Sequence, residues 1–179
     1  MNVDRSARIA GKVRTLREDF DAAFARPPSP PPAPAAAVLL LRAGRDLVAV
    51  RRAGMTGLAR AENIAPTPPG ASGFLGLVGL RGALHPVWHL ATLLGGEAPT
   101  GDLSRGWLVA VAVRPEVPCA FWCDAFERMV LRPESEIAAP VSGKAVVAWN
   151  NRLIPVIDLI ALGAAIHEHK DTSPQKTSS

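Results

Sequence analysis

The fold is decided by one stretch, Gly73-Phe-Leu-Gly-Leu-Val-Gly-Leu-Arg-Gly-Ala-Leu-His-Pro-Val-Trp-His-Leu-Ala-Thr-Leu-Leu-Gly95. Its apolar run is divided by three glycines, Gly76, Gly79 and Gly82. Glycine within a strand pattern usually marks a bulge, a tight bend or the close approach of another backbone. Pro86 cannot donate a ladder hydrogen bond, which favours a strand start, an edge or a bulge. The stretch therefore predicts a strongly bent strand that turns the corner of a small barrel.

Part of this stretch recurs further along the chain. The segments Leu84-His-Pro-Val-Trp-His-Leu90 and Leu153-Ile-Pro-Val-Ile-Asp-Leu159 carry Leu, Pro, Val and Leu at the same positions. Each is followed by a helical turn with another leucine, Leu93 or Leu162. A repeat of this size that occurs twice predicts two equivalent small β-units rather than a long solenoid.

The remaining pattern is mostly that of strands. Apolar runs bounded by turn residues predict strands at Val38–Leu41, Asp46–Val50, Trp107–Val113, Cys119–Cys123, Lys144–Trp149 and Leu153–Ile157, with a strand or short bend at 124–131. The segment Met55–Ala61 is ambiguous between helix and strand by periodicity alone. Asn150 and Asn151 suit a hairpin turn because asparagine tolerates positive φ. Asp158 is placed to cap a helix that runs from Leu159 to about His167.

The two termini differ in composition from the part between them. Residues 1–26 contain an amphipathic helix whose apolar positions follow a coiled-coil-like seam: Ile9, Val13, Leu16, Phe20 and Phe24. This helix either packs on its own barrel or docks on a partner or a second copy, because it is too short to be stable alone. Residues 27–36 form a proline-rich linker, and residues 168–179 form a polar tail predicted to be disordered.

The charge of the chain admits a nucleic-acid-binding barrel as an alternative. The net charge is +4 and the pI is about 9.7. The basic residues are scattered rather than clustered, however, and the chain has 5% aromatic residues and no tyrosine with which to stack bases. A solvated basic surface is the favoured interpretation, and no nucleic-acid partner is expected.

Candidate catalytic and metal-binding groups are few. Cys119 and Cys123 are expected on one face of a strand as small buried hydrophobic residues of a reduced cytoplasm. His85 and His89 would share a strand face, but no further ligand stands at a telling distance. The sequence predicts no catalytic residue, no cofactor and no metal site, which leaves a hydrolase without support. The absence of a signal-peptide core or a membrane-length apolar run predicts a soluble, cytoplasmic protein with no direct membrane insertion.

The stretch resembles the core motif of CheW-like domains, the adaptors of bacterial chemosensory arrays. Their pattern has a Gly, a Val, an Asn-Leu-Arg-Gly block, a Pro-Val pair and an Asp-Leu pair. The corresponding segments are Gly76–Gly82, Pro86-Val87 and His89-Leu90, with Leu47–Val50, Pro66–Pro68 and Leu153–Leu159 matching in order on either side. The resemblance covers roughly residues 37–165. It implies a mainly β fold at 37–167, in which two small SH3/OB-like five-stranded barrels share a hydrophobic seam, with short helices and the N-terminal helical extension. It also favours a strand at Met55–Ala61.

The resemblance implies a non-enzymatic adaptor that couples methyl-accepting chemoreceptors to a CheA-type histidine kinase, in the cytoplasm or recruited to receptor arrays. Other CheW-like proteins are further candidate partners. The matching receptor-binding residues are Val78, Gly79, Leu80, Arg81 and Gly82, and the matching kinase-binding residues are Met55, Gly57 and Leu58. A lone arginine among aliphatic residues must reach solvent, backbone carbonyls or a carboxylate, because burying it unpaired is costly. An internal ion pair from Arg81 to Asp158 or Glu127 is therefore the alternative to a docking role.

Three positions depart from the family pattern. Gly79 stands where the family has Asn, His89 where it has Asp, and Gly57 where it has a Glu in its third strand. Loss of a charge and gain of a flexible glycine at Gly57 should weaken whatever docks on that strand. The departures predict a divergent adaptor with weakened kinase binding and a specialised receptor or pathway, for which the N-terminal helix supplies a replacement contact.

Overall fold

The computed structural model describes Lys12, Arg14, Thr15, Arg17, Phe20 and residues 35–68, 70–114, 116–137, 140–141 and 144–171. The chain divides into two units, Met1–Pro32 and Ala33–Ser179. In the first unit the described residues are helical, and Phe20 is exposed. The other predicted seam residues of this helix lie outside the described residues: Ile9, Val13, Leu16 and Phe24.

The second unit is built mainly of strands. In chain order they are β1 Ala35–Ala43, β2 Asp46–Arg51, β3 Met55–Arg60, β4 Phe74–Leu80, β5 Ala83–His89, β6 Trp107–Arg114, β7 Val117–Cys123, β8 Ala125–Pro133, β9 Pro140–Val141, β10 Lys144–Trp149 and β11 Arg152–Ile157. The helices are α1 Leu90–Leu93, α2 Glu134–Ile137 and α3 Leu159–Asp171, with a 3-10 turn at Leu103–Arg105. Within the described residues, none of the helices has the length and apolar character that crossing a membrane requires.

The strands form two sheets with the same internal plan. The first barrel has the strand order β3-β6-β7-β5-β4, and the second barrel has the order β8-β1-β2-β11-β10-β9. Each contains an antiparallel hairpin, a strand that runs parallel to the second arm of that hairpin, and an antiparallel partner of that parallel strand. The predicted repeat is confirmed, because Leu84–Leu90 and Leu153–Leu159 form the equivalent strands β5 and β11 and lead into α1 and α3. The second barrel has one strand more than predicted, the two-residue β9.

Alternation along the strands produces a core in three parts. Successive side chains of a strand point to opposite faces. In β7, Ala120 and Trp122 lie inside the first barrel, whereas Cys119, Phe121 and Cys123 lie in the seam between the barrels. In β1 the same alternation puts Val38 and Leu40 inside the second barrel and Leu39 and Leu41 in the seam. Both sheets therefore contribute to one shared seam, as predicted, and each fully buried Leu, Val or Phe stabilises it by about 1.5–3 kcal/mol.

The decisive stretch forms a hairpin rather than the single bent strand predicted from its glycines. Arg81 and Gly82 have φ of 51° and 80° and connect β4 to β5. Two residues of positive φ form the type of turn whose twist matches a two-residue hairpin. The expected bend lies earlier, at Gly76, where β4 is bulged and φ is 136°. A Cβ at Gly76 would collide with the carbonyl oxygen of Ala65, which pairs with the outer edge of β4 through Leu77.

Other predicted bounds of strands, turns and helices agree with the structure to within a few residues. Asn150 and Asn151 form the β10–β11 turn with φ of 44° and 58°, as the sequence predicts. β1 begins at Ala35, so the last two residues assigned to the proline-rich linker are in a strand, and residues 27–34 lie outside the described residues. The helix α3 continues to Asp171, so residues 168–171 are helical instead of belonging to the predicted tail.

Candidate protein-docking surface

A groove of about 260 Å³ opens at the end of the first barrel where the β4–β5 turn lies. All five strands of the barrel contribute to it. Its lining consists of Thr56, Gly57, Leu58, Ala59, Leu80, Arg81, Ala83, His85, Ala110, Val111, Ala112 and Pro118. We call it the Arg81 groove. The small side chains of β3, β5 and β6 keep it open, because Gly and Ala leave the volume that larger residues would fill.

Arg81 connects the two edge strands of the first barrel. Its side chain leaves the β4–β5 turn, and Nη1 donates a hydrogen bond of 2.6 Å to the backbone oxygen of Thr56 in β3. A Cβ built on Gly57 would be 3.8 Å from the guanidinium carbon of Arg81, which is ordinary contact. The arginine therefore lies along the open side of the barrel, and its remaining N–H groups are available to a ligand.

The ion pair predicted as an alternative for Arg81 is wrong. Glu127 instead pairs with Arg42, from whose Nη2 atom its Oε1 atom accepts at 2.8 Å. Asp158 caps α3, and its Oδ1 atom accepts hydrogen bonds of 3.0 Å from the backbone N–H groups of Ile160 and Ala161. Asp158 is thus the helix cap that the sequence predicts, whereas the pairing of Glu127 with Arg42, 85 residues apart, was not predicted.

His85 is the other polar side chain that is prominent in the groove. It is 7% exposed, and its Nδ1–H donates to the backbone oxygen of Ala83 at 3.1 Å. This bond fixes the tautomer and leaves Nε2 as the ring nitrogen open to a ligand. Among the described residues that line the groove, Arg81 carries the single formal charge.

The structure brings some residues of the two predicted sites together in the groove and places the others elsewhere. Gly57 and Leu58, matched to the kinase site, line the same groove as Leu80 and Arg81, matched to the receptor site. The side chain of Val78 is buried inside the first barrel and is not part of this surface.

The other matched residues flank the groove. Met55, next to Thr56 at the start of β3, packs against the seam. Gly79 is exposed with no atom within 4 Å of a built Cβ, and Gly82 completes the turn.

Sequence reasoning missed Leu84, which extends the surface beside the groove. It pairs across the hairpin with Gly79, and because Gly79 has no side chain, Leu84 is 61% exposed. The repeat pairs Leu84 with Leu153 but did not reveal that either is exposed; in the structure Leu153 is 63% exposed in the second barrel. An exposed leucine beside an open groove adds apolar area that a partner can bury.

A larger cavity of about 540 Å³ lies near the opposite end of β5, where His89 caps α1. We do not favour it as the docking site, because two of its acidic groups have backbone partners. Asp124 accepts from the N–H of Gly44 at 2.6 Å, and Asp102 accepts from the N–H of Ser104 at 2.9 Å. Burial lowers the pKa of His89 from its usual value, and the nearby charge of Asp124 opposes this only in part. Its imidazole is therefore the neutral cap that accepts from the N–H of Thr92.

The buried cysteines are not reactive groups. Both are buried on one face of β7, as predicted, and that face lies in the seam. Burial raises the pKa of the Cys123 thiol to about 12. A thiol that stays protonated at neutral pH is a poor nucleophile. In the described part of the chain, no cluster of three or more His, Cys, Asp or Glu side chains is arranged to hold a metal ion.

Comparisons with known proteins agree with this architecture. The profile described as "CheW-like domain" matches residues 37–166. Fifteen chains among the solved structures match significantly. One of them, the scaffolding protein TtCheW from Thermoanaerobacter tengcongensis, is 16% identical, with a TM-score of 0.60 over 71% of this chain and 91% of that one. At this identity the likeness concerns the fold. A search of curated proteins finds no significant match to the sequence.

Proposed function

Because the chain belongs to the CheW-like domain family, whose members are scaffolding adaptors of chemotaxis signalling, we propose that it couples methyl-accepting chemoreceptors to a CheA-type histidine kinase. The observation that carries this proposal is the Arg81 groove. Residues matched to receptor binding and residues matched to kinase binding line this one opening of the first barrel. Its partners are proteins, and it acts in the cytoplasm at the receptor arrays.

The proposed mechanism is colocalisation. The β4–β5 turn lies on one side of the groove and the edge strand β3 on the other, so receptor and kinase dock on two faces of one rigid body. This arrangement holds them at a fixed geometry and raises their effective concentration. Each interface can be modest in area, because many copies act together in an array. A catalytic step is no part of this proposal, since the buried thiol of Cys123 keeps its proton and no acid–base pair lines the groove.

The parts of the surface have different proposed roles. Leu80 and Arg81 contact the receptor, with exposed Gly79 allowing close approach of its backbone. Gly57 and Leu58 on β3 contact the kinase, and the free edge of this strand offers backbone pairing in addition. The N-terminal helix supplies a further contact to a partner, and kinase binding is weaker than in family members with a glutamate at the position of Gly57.

The proposal is tested by mixing the full chain with a receptor signalling fragment and, separately, with the regulatory domain of the kinase from the same genome. Size-exclusion chromatography should show a complex with each. Arg81→Glu should reduce receptor binding at least tenfold, because it reverses the charge of the groove, while the circular dichroism spectrum stays unchanged. Arg152→Glu at the β10–β11 turn is the matched control and should bind normally. Normal receptor binding by Arg81→Glu would reject the proposed role of the groove.

A further inference from the structure

We propose that the Arg81 groove receives the carboxylate side chain of an aspartate or glutamate from the receptor. The inference rests on the proposed function, and it specifies the chemistry of the partner surface. It follows from the position of one arginine, with most of its donors unused, over a groove of small uncharged residues.

The charge of the groove is unbalanced. A guanidinium has five N–H donors in a rigid fork that matches a carboxylate. Arg81 uses one nitrogen, Nη1, on the backbone oxygen of Thr56. Across the described ranges no Asp or Glu lies within ion-pair distance of Arg81, and no carboxylate lines the groove. A partner that brings one negative charge therefore completes the site.

The space beside the guanidinium suits a side chain. Gly57 leaves a gap directly in front of Arg81, and Ala59, Ala83 and Ala110 add further small surfaces. A volume of about 260 Å³ accommodates the few heavy atoms of an acidic side chain. A hydrogen bond between a guanidinium and a carboxylate is charge-assisted, and it is stronger than a bond between neutral groups.

The chemistry of the walls favours a carboxylate over a phosphate group. A phosphate group carries close to two negative charges at neutral pH, and one guanidinium neutralises only one of them. The walls next to Arg81 are formed mainly by Gly, Ala, Leu and Val residues. The hydroxyl of Thr56 is a further hydrogen-bond donor in the lining, but it is uncharged and adds no second positive charge for a phosphate group.

The first experiment uses small probes on the full chain labelled with nitrogen-15. Capped Ala-Glu-Ala is titrated at millimolar concentration, with capped Ala-Gln-Ala and inorganic phosphate as comparison probes. We expect a saturable shift of the Arg81 Nε–H and Gly57 N–H signals with the glutamate peptide alone, and no shift in Arg81→Gln. Equal shifts with the glutamine peptide, stronger shifts with phosphate, or no shift at all would overturn the inference.

The second experiment places the carboxylate on the chain itself. Gly57→Glu puts an acidic side chain in contact with the guanidinium, and the nearest neighbour of its Cβ would be Ala110 at 3.7 Å, so the fold tolerates it. Gly57→Gln is the isosteric control. We expect Gly57→Glu to weaken binding of the receptor fragment, the partner assigned to Arg81, at least tenfold more than Gly57→Gln does. Equal loss in both variants would mean that the groove is merely blocked, which contradicts recognition of a charge.

Failure of this inference can be told apart from failure of the proposed function. If receptor and kinase bind normally and Gly57→Glu behaves like Gly57→Gln, the adaptor role stands and carboxylate recognition falls. If the glutamate peptide shifts Arg81 but neither signalling protein binds, the groove chemistry stands and the assigned partners are wrong.

Discussion

The two barrels share one plan, and they differ most at the ends of their equivalent hairpins. The β4–β5 turn contains Arg81 and the β10–β11 turn contains Asn150, both with positive φ. Immediately before these turns stand Leu80 in the first barrel and Trp149 in the second. Leu80 leaves a groove beside it, whereas the larger ring of Trp149 packs against the interior of the second barrel.

The arginine side chains at these two ends also make different contacts. In the second barrel, Arg128 and Arg132 of β8 lie over the ring of Trp149, at 5.1 and 5.7 Å from its centre. In the first barrel, Arg81 comes from the turn and meets only a backbone oxygen of β3. Two arginines at this end of the second barrel thus lie over an aromatic ring, whereas Arg81 of the first barrel has a single backbone partner beside an open groove. This difference is why we place recognition at the first barrel.

The largest effect on stability should come from Gly76→Ala in the first barrel. Gly76 has φ of 136° and no room for a Cβ, so the substitution should lower the free energy of unfolding by about 2 kcal/mol or more. Urea unfolding measures this loss. Gly79→Ala in the same strand is the control and should change stability by less than about 0.5 kcal/mol, because it has open space around it. Equal effects of the two substitutions would show that the bulge at Gly76 does not constrain the first barrel.

A smaller effect should follow from exchanging the turn residues. Asn150→Arg should cost about 1 kcal/mol, because arginine tolerates positive φ less well than asparagine. Arg81→Asn should leave stability within about 0.5 kcal/mol, since the better turn residue offsets the lost bond to Thr56. Its receptor binding should nevertheless fall. Thermal unfolding combined with the binding assay tests both, and a strongly destabilised Arg81→Asn would mean that the arginine is retained for the turn itself.

The smallest predicted effect on stability comes from a helix cap. His89 caps α1 in the first barrel, and Asp158 caps α3 at the equivalent position of the repeat. The folded-state pKa of His89 is lowered by burial, so the unfolded chain binds the proton more readily. The contribution of neutral His89 to the stability of the fold is complete above a pH of about 6.5, which is the pKa of the group in the unfolded chain. This contribution is lost as the pH falls from that value toward the pKa in the folded state. Urea unfolding at pH 7, 6 and 5 should therefore show a steeper decline for the natural chain than for His89→Asn, which caps without titrating. If the two proteins lost stability in parallel as the pH fell, protonation of His89 would not be the cause.

Local rules were sufficient for much of the fold. The Asn150-Asn151 turn, the buried run at Trp107–Val113 and the face shared by Cys119 and Cys123 all follow from turn chemistry and the period of two. The place of Arg81 did not follow, because the flanking Leu80 and Gly82 look the same in a bent strand and in a hairpin turn. The groove was beyond sequence reasoning for another reason. Gly57 meets Arg81 only because β6, β7 and β5 stand between β3 and β4 in the sheet, and that order is a property of the whole barrel.

The order of the strands also has a consequence for synthesis. Every strand of the first barrel lies between Met55 and Cys123, so this barrel can close while the ribosome is still translating the rest. The N-terminal hairpin β1–β2 emerges earlier, yet its parallel neighbour β11 ends at Ile157. The hairpin must therefore wait for its parallel neighbour, with apolar residues on both faces, until the chain has been made as far as Ile157. A nascent chain stalled before β11 would present the open edge of β2 to the quality-control machinery of the cell.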